Sequence, residues 1–143
     1  MMKNFMQIAL ETAKKSGKDL PVGAIIVKNN EIIACAHNEQ EKNNDVTAHA
    51  EILAIREAEK KLGNWRLNDC EMYVTLEPCP MCAWAILRSR IKSLTFGAYD
   101  TVYGAFSTLP RLQEMSNSTL KVRGGIMESE CKQVIEEYFK DLR

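Results

Sequence analysis

The sequence predicts an α/β fold: a three-layer α/β/α sandwich built on a five-stranded mixed sheet. Three observations predict it. Apolar stretches of strand length alternate with stretches of helical period along the chain. The first two strand-like stretches lie close enough to form a hairpin, and the later ones are each separated by a helix, which implies parallel crossovers. Helices that alternate with strands in this way must cover both faces of one sheet.

The elements follow in order. Met2–Ser16 carries Phe5, Met6, Ala9, Leu10 and Ala13 at helical spacing, and Gly17 is a stop signal. Pro21–Val27 and Glu31–Ala36 read as two apolar strands joined by a turn through Lys28, Asn29 and Asn30. Asn38–Thr47 is polar and reads as a loop. Thr47 is placed to cap a helix from Ala48 to about Leu62, which Gly63 ends. Glu71–Leu76 is a third strand, Pro80–Arg90 a helix and Ser93–Ala98 a fourth strand. A short helix over Leu109–Met115, a fifth strand over Leu120–Arg123 and a closing helix over Glu128–Leu142 complete the chain.

With 143 residues, the length suits one domain spanning 1–143, enough to bury a core without disulfides. Lys+Arg and Asp+Glu number 19 each, which argues against holding nucleic acid by bulk charge alone. The N-terminal segment lacks the continuous apolar stretch of a signal peptide, since Lys3, Asn4, Gln7 and Glu11 interrupt it. No run is long enough to cross a bilayer. A cytoplasmic address is expected. The five cysteines then read as reduced thiols. Cys35, Cys70 and Cys131 stand singly and read as small buried hydrophobes; Met72, Met81, Met115 and Met127 read as core fillers. Cys79 and Cys82 form the one close pair.

That pair belongs to Glu77-Pro78-Cys79-Pro80-Met81-Cys82, preceded in the chain by Thr47-Ala48-His49-Ala50-Glu51. With Cys79 as helix cap and Pro80 as first helical residue, both thiols lie at a helix N-terminus, whose positive end favours the thiolates a metal needs. An imidazole from His49 is the usual partner of two thiolates on zinc. The spacing of His49 and Glu51 puts both toward one site only if they sit at a helix start. Three protein ligands leave a fourth position for water, the mark of a catalytic rather than a structural zinc. Glu51 is then free to carry protons. A structural Cys₂His₂ knot using His37, the other histidine, is the competing reading. It would need neither the Glu beside His49 nor the prolines flanking Cys79, so His37 reads as a strand-end residue near the pocket rim.

His-x-Glu followed by Pro-Cys-x-x-Cys is recognised as the signature of zinc-dependent nucleobase deaminases. The resemblance extends further, through Pro21-Val22-Gly23-Ala24, Asn38, Asn44-Asp45, Asn64-Trp65-Arg66-Leu67, Ser89-Arg90-Ile91, Phe96-Gly97-Ala98, Asp100, Gly104-Ala105 and Glu130-Cys131. Over nearly its whole length the chain resembles the bacterial tRNA-specific adenosine deaminases, of the cytidine-deaminase-like group. The resemblance implies a cytidine-deaminase-like fold, one zinc ion per chain, a homodimer, and conversion of the wobble adenosine of a tRNA anticodon loop to inosine. It also implies substrate contacts: Asn38 with the flipped base, Asp100 with the RNA near the target, and Tyr138 and Phe139 beside the flanking nucleotides. Val102 stands where the family has a lysine, Phe106-Ser107-Thr108 and Ser116-Asn117-Ser118 depart from its small and histidine-bearing patterns, and the last helix ends in a thinned Lys140-Asp141-Leu142-Arg143. All four fall in segments expected to meet RNA.

Two other functions stay open at this level. One is the same chemistry on a free guanine- or cytosine-type base or nucleoside, or on another nucleic acid. The other is a zinc-stabilised binding module without catalysis, which the presence of Glu51 disfavours. Trp84 reads as packing in a core or a dimer contact, and Arg88, Arg90 and Lys92 as a solvated face.

Overall fold

The computed structural model describes residues 4–108, 111–116 and 118–142 of the chain. Its elements run α1 (Phe5–Ala13, continued by a 3₁₀ turn over Lys14–Ser16), β1 (Gly23–Lys28), β2 (Glu31–His37), α2 (Gln40–Asn43), α3 (Ala50–Leu62), β3 (Cys70–Leu76), α4 (Pro80–Arg88), β4 (Ser93–Ala98), α5 (Arg111–Ser116), β5 (Lys121–Arg123) and α6 (Glu128–Asp141). Leu109 and Pro110, placed at the start of the short helix by the sequence, lie outside the described residues, as does Met2 at the start of the first.

The sheet has five strands in the order β2-β1-β3-β4-β5. β1 pairs antiparallel with both β2 and β3, whereas β3–β4 and β4–β5 are parallel. The mixed sheet and the parallel pairing after the hairpin are as expected. The hairpin turn is tighter than the three residues allotted to it. Lys28 still pairs with Glu31, and Asn29 and Asn30 alone make the turn at φ 52° and 64°. Asparagine is the residue after glycine that best tolerates this left-handed region, and two such residues match the strand twist.

Alternation along the strands divides the core in two. Ala24 and Ile26 of β1, Met72 and Val74 of β3, and Leu94 and Phe96 of β4 face a cluster completed by Ala54 and Ala58 of α3 and Ile86 of α4. Ile25 and Val27 face the other side, against Met6, Ala9 and Leu10 of α1 and Cys131 of α6. Helices therefore cover both faces. α1 lies close on the sheet, because Gly23 has no Cβ to meet the Ala9 carbonyl.

Several expectations are corrected. The Asn38–Thr47 loop contains a one-turn helix, α2, whose support comes from far along the chain. The Asp19 carboxylate accepts the Glu41 and Lys42 backbone N–H groups at 2.6 and 3.1 Å. Thr47 does not cap α3. Its hydroxyl donates to the Asp45 carboxylate at 2.7 Å, and Asp45 also accepts the Thr47 N–H at 2.9 Å. The helix consequently starts two residues later, at Ala50, with His49 as its cap. Cys70 and Cys131 are buried as expected, but Cys35 is exposed on the edge strand β2, with its sulfur 3.1 Å from the Thr12 hydroxyl. Met72 is a core residue, Met81 and Met127 are half-buried, and the Met115 side chain lies outside the description. Trp84 is 39% exposed and so is not core.

Candidate active site

Two helix starts meet at one point. His49 caps α3 with φ −76° and ψ 151°; Cys79 caps α4 with φ −75° and ψ 171°. The two caps have nearly the same extended backbone, and neither side chain is used to satisfy its own helix. Pro80 occupies the first helical turn, where its missing N–H costs nothing. Cys82 is the third residue of α4, and Glu51 the second of α3. The cap conformation of His49 resolves the two-residue spacing to Glu51: with one residue extended and the other helical, both side chains reach the same space.

His49 Nδ1 lies 3.7 Å from Cys79 Sγ and 3.4 Å from Cys82 Sγ. All three candidate ligand atoms fall within 4.8 Å of one another. A tetrahedral zinc with Zn–S of about 2.3 Å and Zn–N of about 2.0–2.1 Å separates nitrogen from sulfur by about 3.6 Å. The trio therefore fits a zinc ion in distance as well as donor type. Among the described residues, His37 is not part of it; its Nδ1 sits 3.3 Å from the Asn38 carbonyl at the end of β2.

The second nitrogen of His49 is also engaged. Nε2 lies 3.0 Å from Gln40 Oε1. An amide oxygen there calls for a proton on Nε2 and leaves the Nδ1 lone pair facing the sulfurs. Gln40 is the first residue of α2, so Asp19, 3% exposed beneath that helix, supports the imidazole through it.

The charges agree with this geometry. The hydrogen bond from the Cys82 thiol holds Cys79 down to about 4, helped by His49. Cys82 moves up through the same bond and through burial. The Cys79 contact raises His49. Glu51, 4% exposed, is pushed up to about 7, chiefly by burial; its own backbone N–H and His49 oppose that rise. A carboxyl poised near neutrality suits a group that must both take and give a proton.

These groups lie in a cavity of about 340 Å³, within the range of small-ligand sites. Asn38, Asp100, Tyr138 and Phe139 all line it, together with His49, Glu51 and Cys79. Asn38 is buried; its Oδ1 accepts the Gln40 N–H and its Nδ2 donates to the Leu20 carbonyl, each at 3.3 Å. Asp100 Oδ1 accepts the Val102 and Tyr103 N–H groups at 3.0 and 2.9 Å. Tyr138 donates its hydroxyl to the Lys18 carbonyl at 3.0 Å and packs edge-on against Phe139 at 5.3 Å. Phe139 is 51% exposed.

Sequence reasoning missed Asp19, Gln40, Glu77 and Tyr103. Asp19 and Gln40 act across 22 and 9 residues, beyond any local signature. Tyr103 had one available signal, its place beside Val102 in a segment already expected to meet RNA.

Residues 1–98 match the cytidine and deoxycytidylate deaminase zinc-binding region. Over 143 aligned positions the chain is 45% identical to the tRNA-specific adenosine deaminase of Bacillus subtilis, covering 97% of this chain and 89% of that protein. It is 42% identical to the tRNA-specific adenosine deaminase of Aquifex aeolicus, covering 97% and 94%. Among solved structures, one from a study of A-to-I editing by tRNA:A34 deaminases superposes with a TM-score of 0.85 at 41% identity, covering 91% of this chain and 97% of that one. The guanine deaminase of Bacillus subtilis superposes with a TM-score of 0.66 at 44% identity, covering 68% and 64%.

Proposed function

The chain belongs to the family of the cytidine and deoxycytidylate deaminase zinc-binding region, and from that membership we propose that residues 1–143 form a zinc-dependent hydrolytic deaminase that converts adenosine to inosine at the wobble position of tRNA. The observation that carries the reading is the convergence of His49, Cys79 and Cys82 beside a buried Glu51 in one small cavity. The likeness to tRNA-specific adenosine deaminases over nearly the whole chain supports the substrate.

In this reading His49, Cys79 and Cys82 hold one zinc ion. Zinc bound there supplies the Lewis acidity that makes water nucleophilic near neutral pH. Glu51 takes the proton of the attacking water and delivers it to the purine ring. Once the C6–O bond has formed, Glu51 carries the second proton of that water from the new C6 hydroxyl to the amine, the C6–N bond breaks, and water and adenosine become inosine and ammonia. Because the cavity admits a base and not a duplex, the target leaves its stack and enters alone. Asn38 reads that base, Asp100 holds a neighbouring nucleotide, and Tyr138 and Phe139 offer stacking surface at the mouth.

The same reading takes the chain as a cytoplasmic homodimer, a state that the exposed Trp65 and Trp84 side chains support. Among the described residues no helix is long and apolar enough to cross a membrane. A second reading, deamination of a free base such as guanine, draws on the likeness to guanine deaminase and on Val102 in place of a cation. The test incubates the zinc-loaded protein with an anticodon stem-loop bearing a wobble adenosine and, separately, with guanine, cytosine and adenine. Inosine in the stem-loop is expected. Ammonia from a free base with no inosine in the RNA would transfer the chain to the second reading.

A further inference from the structure

Glu77 is 2% exposed, precedes Cys79 by two residues and lines the same cavity, and its carboxylate is hydrogen-bonded to the segment that follows β4. Oε1 accepts the Asp100 N–H at 3.1 Å. Oε2 accepts the Phe106 and Ser107 N–H groups at 3.0 and 2.7 Å. The Ser107 hydroxyl donates at 2.7 and 2.9 Å to the two oxygens. Among the described residues no ion pair involves Glu77. Four donors from one loop thus take the place of a cation. Gly104 completes the cradle, since a Cβ there would run into the carboxylate.

What that loop carries is the mouth of the cavity. Between the two anchor points, Asp100 Oδ1 accepts the Val102 and Tyr103 N–H groups and folds the chain back on itself. The turn leaves Tyr103 lining the cavity while 63% exposed, in the same wall as Asp100 and together with Tyr138 and Phe139 of α6. An aromatic ring so placed has little to gain from the fold and much surface to offer a base.

We propose that Glu77 is a positioning residue: its carboxylate pins both ends of the 100–107 loop and so sets Tyr103 and Asp100 at the mouth of the cavity, where Tyr103 stacks on a nucleotide flanking the target. The inference rests on the RNA reading for the identity of that nucleotide, but not for the anchoring itself. Ser107 strengthens the anchor at a place where the resembling family carries a small residue, and it does so next to the Val102 that replaces a lysine. The chain thereby holds its RNA at this edge by stacking rather than by charge.

The test uses the zinc-loaded protein and the stem-loop, with KM and kcat measured separately, zinc content measured for every variant, and amide hydrogen exchange followed over residues 100–107. Glu77→Gln puts an amide NH₂ against backbone N–H donors. It should keep one zinc, quicken exchange at Phe106 and Ser107, and raise KM about tenfold with kcat within about twofold. Tyr103→Leu should raise KM about fivefold, and adding it to Glu77→Gln should cost no more than Glu77→Gln alone, because the Tyr103 contact is already lost when the anchor is. Ser107→Ala, which keeps all three backbone donors, should raise KM about threefold and serves if Glu77→Gln does not fold. Unchanged exchange and KM in either anchor variant, a loss confined to kcat or to zinc, or effects of Glu77 and Tyr103 that multiply would each overturn the proposal. If the wild-type protein makes no inosine in the stem-loop, the wobble reading falls, and the exchange measurement alone decides for or against the anchor.

Discussion

Gln40 offers a prediction that local sequence patterns do not. Its Oε1 lies 3.0 Å from His49 Nε2, the nitrogen pointing away from Cys79 and Cys82. Gln40→Leu keeps the bulk and removes the acceptor. The ring then loses the bond that selects its tautomer and fixes its plane. Loss of such an outer partner typically costs about 10–100-fold in metal affinity, which is about 1.4–2.8 kcal/mol. Asp19→Asn should act in the same direction with smaller size, because it weakens the two bonds that hold α2 without touching Gln40 itself. If Asp19 works through Gln40, the double variant binds zinc no more weakly than Gln40→Leu alone. The assay is competition against a zinc chelator of known affinity at fixed pH, with circular dichroism to establish that the fold persists. A Gln40→Leu zinc Kd within about twofold of wild type would refute the reasoning.

Removing Cys79 (Cys79→Ala) takes one of the two thiolates and should abolish stoichiometric zinc by metal analysis; full occupancy in that variant would remove Cys79 from the ligand set. The salt dependence of stem-loop binding should be shallow, and Val102→Lys, at a position 61% exposed, should steepen the log–log slope by about 0.7, the contribution of one phosphate on a single strand; an unchanged slope would mean that this edge meets no phosphate. Ile26, fully buried between the hairpin and α3, should cost about 2–5 kcal/mol when cut to alanine, read from denaturant midpoints.

The elements that the sequence declares are those whose physics is local. The apolar runs PVGAIIV and EIIACA, the prolines around Cys79 and the glycines at 17 and 63 each act within a few residues, and the strands and helices they mark are in place. Cys79 as cap with Pro80 behind it was legible for the same reason. Thr47 was misleading because its hydroxyl has two nearby uses, and the Asp45 carboxylate two residues away outcompetes the helix N-terminus. α2 was hidden because its polar residues carry no apolar period and its support, Asp19, arrives from beyond the hairpin. Cys35 was misread because β2 is an edge strand and turns one of its faces to solvent, which composition does not reveal. In the site, the convergence of His49, Cys79 and Cys82 near Glu51 was legible from the signature these residues form, whereas Gln40, Glu77 and Tyr103 depend on which loops the fold brings together. Asn38, Asp100, Tyr138 and Phe139 came from family resemblance, and all four line the cavity.

The most direct test of the account compares wild type with Glu51→Ala on the wobble-adenosine stem-loop, with zinc counted in both. Wild type should release one ammonia for each inosine formed. Glu51→Ala should keep its fold and one zinc while losing at least about 10²–10⁴-fold in turnover, because no group remains to move the proton. A zinc-loaded Glu51→Ala protein that still makes inosine at the wild-type rate would contradict the account at its centre.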